Sequence, residues 1–159
     1  MEPLEAVTES IEQVPCGVFL LTSTFENHRS GVLTRWVQRC SVKPHMITIA
    51  LPKGLPVEPL IRDSRAFALC QIGADDILLR RKFAIIPDRN DDPFVTISTF
   101  NAPSGSPIVE RAMSYLDCEL VSHIEFDSEY RLYVGLVKHA ALLNRSTPAI
   151  YYGPNGLSA

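Results

Sequence analysis

The stretch SGVLTRWVQRCSVKP, residues 30–44, begins as an apolar strand and then crowds Thr34, Arg35, Trp36, Gln38, Arg39 and Ser41 together before halting at Pro44. A half-buried strand alternates apolar and polar residues and keeps its polar face bland. Here hydroxyls, guanidinium groups and an indole stand side by side. Two readings follow. In one, the stretch is an edge strand whose polar face meets water. In the other it is a ligand strand, with the Thr34 and Ser41 hydroxyls and nearby backbone N–H groups on a phosphate. Arg35, or Lys53 at the exit of the next strand, then supplies charge, and Trp36 forms a flat apolar wall. Periodicity alone leaves both open.

Outward from this stretch the chain reads as strands with short helices inserted. Upstream, residues 4–13 place Leu4, Val7 and Ile11 at helical spacing, and Pro15 ends that helix. CGVFLLTST (16–24) is an apolar, β-branched strand, and ENHRSG (26–31) a polar hairpin turn. The quoted stretch is the second strand, running into a loop at CSVKP (40–44). HMITIAL (45–51) is the third, closed by Pro52 and Gly54.

Downstream, VEPLIRDSR (57–65) reads as a short helix with Val57, Leu60 and Ile61 on one face, and AFALCQI (66–72) as a strand. DDILLRRKF (75–83) is a helix with acids at its start and Arg80, Arg81 and Lys82 near its end, the order its dipole favours. Residues 85–94 form an acidic, proline-broken loop. AMSYLDCELVSHIEF (112–126) and YRLYVGLVKHAALL (130–143) are long alternating strands joined by a turn at Asp127–Glu129, and TPAIYYG (147–153) closes the fold. Some six strands at irregular spacing point to a closed antiparallel barrel rather than a doubly wound sheet.

The 159 residues suit one domain, 1–159, which buries roughly 70% of its unfolded surface. Apolar residues make up 46% and charged residues 21%, with a net charge of −3, which argues against nucleic acid or an anionic membrane as the main partner. No apolar run approaches the ~20 residues that span a bilayer. The acidic start, with Glu2, Glu5, Glu9 and Glu12, is the wrong charge for a leader. Cys16, Cys40, Cys70 and Cys118 are scattered in or beside apolar runs without a CxxC, which favours buried, reduced thiols and a cytoplasmic protein.

Motifs are absent for Rossmann-type dinucleotide binding, P-loop phosphoryl transfer, zinc proteolysis and α/β-hydrolase chemistry. His28, His45, His123 and His139 are isolated, so no metal site is expected, and RRK at 80–82 reads as the wet end of a helix.

GVLTRWVQRCSVKP resembles the signature strand and loop of the flavin reductase-like, FMN-binding split-barrel proteins. It comes nearest to the version found in diflavin flavoproteins. PCGVFLLTS is similar to the family's first strand, ITIALPKGLPVEPLIRDSRAFALCQI to its strand, helix and strand, and LLRRKF to its short helix ending in Phe83. SPIVERAMSYLDCEL follows its pattern of a proline–isoleucine turn, a small-residue run and a Leu-x-Cys strand. Spaced in order, these matches cover most of the chain.

The resemblance implies a mainly β, antiparallel, Greek-key split barrel with short peripheral helices. It also implies a homodimer with FMN (or FAD) near the subunit interface and NAD(P)H as transient electron donor. Its cofactor-binding positions fall on Leu33, Thr34, Arg35, Trp36, Val37, Cys40, Ser41, Leu51, Lys53 and Phe83, with Lys53 near the phosphate. No side chain is required as a general acid or base, so no catalytic residue is assigned. The expected activity is hydride transfer from NAD(P)H to flavin, with an oxidase or other acceptor protein as a possible partner.

Two departures stand out. Many relatives carry a small or hydroxylated residue where this chain has Arg35. Many reductases carry Gly-Asp-His before the last long strand, the histidine being linked to nicotinamide use, where this chain has Ser128, Glu129 and Tyr130. Tyr130 is therefore the nicotinamide-side position, with Arg131 or another cation as an alternative docking group. The second departure keeps two rivals in view: a non-enzymatic FMN electron carrier, and a cofactor-free barrel serving as an interaction module.

Overall fold

The computed structural model describes residues 2–151 and 157–158. Helix α1 (Pro3–Glu12) precedes a short β1 (Cys16–Gly17) and the hairpin of β2 (Phe19–Phe25) and β3 (His28–Thr34). β4 (Val37–Val42) and β5 (His45–Pro52) form a second hairpin, followed by α2 (Val57–Ser64), β6 (Ala66–Gln71) and α3 (Ile77–Phe83). A small hairpin of β7 (Thr99–Asn101) and β8 (Pro107–Val109) leads to the long β9 (Ser114–Glu125) and β10 (Tyr130–Leu142). β11 (Ile150–Tyr151) and β12 (Leu157–Ser158) end the chain.

Seven strands form one antiparallel sheet in the order β3-β2-β6-β9-β10-β5-β4. Its two outer strands, β3 and β4, are consecutive in sequence and joined only by Arg35 and Trp36. So short a bridge forces the sheet to curl until its edges approach, and because those edges do not pair, the result is a barrel with a split. The expected barrel is thus observed. The single strand expected up to the loop at 40–44 is not: it breaks at Arg35–Trp36, where the chain passes from one sheet edge to the other.

Two boundaries also move. The hairpin turn is confined to Glu26–Asn27, both with positive φ (48° and 67°), the conformation a two-residue turn needs to match strand twist, so the strand resumes at His28. Residues 40–42, expected in a loop, continue β4, with a bulge between Arg39 and Ser41. The β7–β8 hairpin was not expected at all.

Strands β2 and β6 are covered on both faces, which explains their unbroken apolar runs. Leu21, Phe67 and Leu69 point into the barrel with Ile49, Leu51, Ile61 and Tyr133. Leu20, Ala68 and Cys70 point outward under a layer formed by Leu79, Phe83, Phe94 and Ile108. Where β10 crosses Phe67, only glycine fits: a Cβ on Gly135 would stand 2.5 Å from the ring. Among the described residues no helix is long and apolar enough to cross a membrane.

The cysteines divide. Cys70 and Cys118 are buried, Cys16 is partly so and Cys40 is exposed; all four are free thiols, so the expectation of uniform burial fails at Cys40, which lies on the outermost strand. Burial pushes the Cys70 and Cys118 thiols from 9.0 up to about 12, with Asp117 adding to the effect at Cys118. Native protein below pH ~9 should therefore react with a thiol reagent at Cys40 quickly and at Cys70 and Cys118 only after unfolding. Rapid modification of all four in native protein would contradict the burial pattern.

Candidate functional site

The break at Arg35–Trp36 opens a cleft of about 460 Å³ between the barrel and the end of α1. Ile11, Val14, Cys16, Arg35, Trp36 and Tyr151 line it, together with Glu12. Aromatic faces hold Arg35: its guanidinium carbon lies 4.1 Å from the Tyr151 ring centre and 5.7 Å from that of Trp36, and no carboxylate pairs with it among the described residues. Such stacking leaves the edge donors of the fork available. Trp36, 43% exposed, packs its other neighbour, Tyr130, at 4.6 Å between ring centres with the planes tilted by 52°.

Around this junction the sequence-derived positions separate into four groups. Thr34, buried at the end of β3 opposite Phe19, adjoins Arg35 and Trp36; Val37 starts β4 opposite Ile49. Cys40 and Ser41 lie further along β4, Ser41 opposite Met46, and four residues of extended strand put Ser41 roughly 13 Å from Val37. Lys53 is exposed on the turn after β5 and donates its backbone N–H to the Glu129 carbonyl at 2.9 Å, beside Tyr130, which pairs with Pro52. The fourth group is not at the surface. Leu51 and Phe83 are 1% and 3% exposed, in the barrel interior and outer layer respectively, and Leu33 packs half-buried against that outer layer.

Arg131 is not the free docking cation considered above. Its guanidinium donates to Glu58 Oε1 at 2.6 Å and to Glu125 Oε1 at 2.8 Å. Glu58, 1% exposed, also accepts from the Tyr133 hydroxyl at 2.7 Å and from the backbone N–H groups of Gly54 and Leu55 at 2.6 and 3.1 Å. The hydrogen bond and charge of Arg131 hold Glu125 below the usual carboxylate range, with Lys53 contributing. Burial and the Glu58 contact push the Tyr133 phenol from 10.0 up to about 12.

Sequence reasoning missed Tyr151, Cys16 and this buried cluster. A stacking partner for Arg35 could not be found from spacing, since Tyr151 is 116 positions away. Glu58 carried a weak signal, being an acid between the buried Val57 and Ile61 of a short helix. Among the described residues no group of three or more His, Cys, Asp or Glu could hold a metal ion.

The chain matches the flavin reductase like domain over residues 11–156. It is 29% identical over 128 residues to a putative diflavin flavoprotein A 2 of Synechocystis, covering 80% of this chain and 22% of that protein. A putative diflavin flavoprotein A 6 of Nostoc is 24% identical, covering 97% of this chain and 27% of that protein. The chain thus spans about a quarter of the length of these relatives. In fold it superposes on an NADH:FAD oxidoreductase of Streptomyces globisporus with a TM-score of 0.88 at 18% identity, covering 100% of this chain and 95% of that one. Flavoredoxin from Methanosarcina acetivorans superposes at 0.79 and 17% identity, covering 91% and 83%. With a split barrel whose edges part at Arg35–Trp36 and a domain match over nearly its whole length, the chain belongs to the flavin reductase-like family.

Proposed function

We propose that this chain binds FMN at the split of its barrel and works as a flavin-dependent oxidoreductase taking hydride from NAD(P)H. The observation that carries this reading is the junction itself: a guanidinium stacked on aromatic rings, with no carboxylate partner among the described residues, at the seam between the two outer sheet edges. That donor set fits a flat, anionic ligand, which needs an apolar wall and charge-assisted donors together. Thr34, Arg35 and Lys53 would hold the phosphate side, and Trp36 and Val37 the ring side. Ser41 pairs with Met46, seven residues along from Lys53 or roughly 23 Å, so it does not share that phosphate, and Cys40 and Ser41 would line the far rim of the slot. Leu33, Leu51 and Phe83 would support those walls from beneath. Bound flavin would supply the two-electron acceptor for the nicotinamide hydride. The protein's part is to bind, orient and shield.

Removing one charge-assisted phosphate contact costs about 1.5–3 kcal/mol, roughly ten- to a hundredfold in affinity. Lys53→Ala should weaken FMN binding by that factor in a fluorescence titration. An unchanged dissociation constant removes Lys53 from the site.

A homodimer completes this reading. Helix α1 buries none of its residues, and Leu4, Val7, Ile11 and Val14 stand 54–77% exposed, Ile11 and Val14 lining the cleft. The outermost strand β4 is exposed along most of its length. A second copy covering both would wall the flavin slot, and two-fold pairing is the commonest closed arrangement. Sedimentation should give a dimer at micromolar concentration; a flavin-loaded monomer would contradict it.

One observation favours the electron-carrier reading. Tyr130, the residue assigned to the nicotinamide side in this reading, packs on Trp36, so its ring would cover rather than invite. A carrier would turn over NAD(P)H slowly yet pass electrons from photoreduced flavin quickly to a protein partner. Between the superposed neighbours, one is named for NADH-dependent reduction and one as a redoxin.

A further inference from the structure

Lys53 lies on the Pro-Lys-Gly turn after β5 and Tyr130 opens β10 after a Ser-Glu hairpin end, yet they stand together. The residue that joins them is Glu58. From the first turn of α2 its carboxylate reaches two ways. Oε2 takes the N–H groups of Gly54 and Leu55, which close the turn carrying Lys53. Oε1 takes Arg131 and Tyr133, the first and third residues after Tyr130 on β10. Lys53 N–H bonds to Glu129 between these two anchors, and Gly54 has the positive φ of 93° that only glycine adopts freely.

A carboxylate 1% exposed is costly, and replacing a buried ion pair by apolar residues is often neutral or stabilising. Burial alone gives no reason to keep it. What the four donors do achieve is a fixed relation between the turn and the start of β10, and hence between Lys53, Tyr130 and, through Tyr130, Trp36.

We infer that Glu58 is a positioning residue of the ligand site: it locks the Pro52–Leu55 turn to β10 so that Lys53 meets a phosphate-bearing ligand with its direction already set. The inference rests on the flavin reading above. Glu58→Gln is nearly isosteric and isolates the effect. Its single carbonyl oxygen turns to Arg131, the stronger donor, and its amide N–H2 then faces the Gly54 and Leu55 N–H groups, which lose their acceptor.

Two measurements test this. In native-state hydrogen exchange, Glu58→Gln should speed the Gly54 and Leu55 amides at least tenfold and leave a core amide such as Leu69 unchanged. In FMN fluorescence titrations, Glu58→Gln should weaken binding about tenfold in the wild-type background and hardly at all on top of Lys53→Ala, since Glu58 acts through Lys53. A merely structural role would make the two fold-changes multiply. Unchanged amides, multiplying fold-changes or an unaltered FMN affinity overturn the inference while the flavin reading stands. Wild-type protein that leaves FMN fluorescence unaffected overturns both.

Discussion

Arg131→Met should destabilise the protein by about 3–5 kcal/mol, the range for leaving a buried carboxylate without its partner. Glu58 is 1% exposed and the Arg131 side chain 12%, so water cannot replace the guanidinium without opening the barrel end. For a chain of this length each kcal/mol moves the melting temperature by roughly 2–4 °C, so a fall of ten degrees or so is expected. The exposed partner Glu125 contributes little, as it is open to solvent screening. A double variant sharpens the test. With Glu58→Gln added, the uncompensated charge is gone and the amide carbonyl is free to turn toward Gly54 and Leu55, so the double variant should be more stable than Arg131→Met alone. Equilibrium unfolding in denaturant measures both. An Arg131→Met variant within 1 kcal/mol of wild type would refute the account of this cluster.

The second large effect concerns Tyr130. Its ring packs against Trp36, and a tyrosine side chain carries no cation to offer a phosphate-bearing nicotinamide. The neighbouring Arg131 offers none either, being held between Glu58 and Glu125. Tyr130→His introduces a side chain that carries partial positive charge at neutral pH. One new charge-assisted contact is worth about 1.5–3 kcal/mol, so NAD(P)H-dependent flavin reduction should rise roughly ten- to a hundredfold at low nicotinamide. FMN affinity should hardly change. Wild-type protein that already reduces flavin rapidly with NADH, and a Tyr130→His variant no faster, would sink this reading and restore an ordinary reductase.

Alkaline pH offers an independent check on the buried groups. Cys70, Cys118 and Tyr133 are each raised to about 12 on folding, so the folded state favours their neutral forms. Their stabilising difference is complete below the unfolded values, near 9 to 10, and is lost as pH climbs from there toward 12. Stability should therefore fall across that window.

Much of this was legible in the sequence because it is local. The apolar runs of β2 and β6, the alternation of β9 and β10 and the helix-end charges of α3 each declare their structure within a dozen residues. The odd composition at 34–41 was legible too, and it falls where the barrel splits. What stayed hidden depends on closure. Nothing in SGVLTRWVQRCSVKP says that the strand must break at Arg35–Trp36; that follows from the need of β3 and β4 to lie on opposite edges of one sheet. The same closure brings Glu58 to Arg131 and Tyr133, 73 and 75 residues away, and Tyr151 to Arg35. Local composition likewise could not tell that Phe83 and Leu51 face inward while their neighbours face the solvent.

The most direct test of flavin binding at the split is a titration of purified wild-type protein with FMN, followed by gel filtration and an absorbance spectrum. The account predicts that flavin bands elute with a dimeric protein, that flavin fluorescence changes on binding, and that Arg35→Ala and Lys53→Ala each release the flavin more readily. A colourless protein that leaves FMN fluorescence untouched would contradict it and favour a cofactor-free barrel used for interaction.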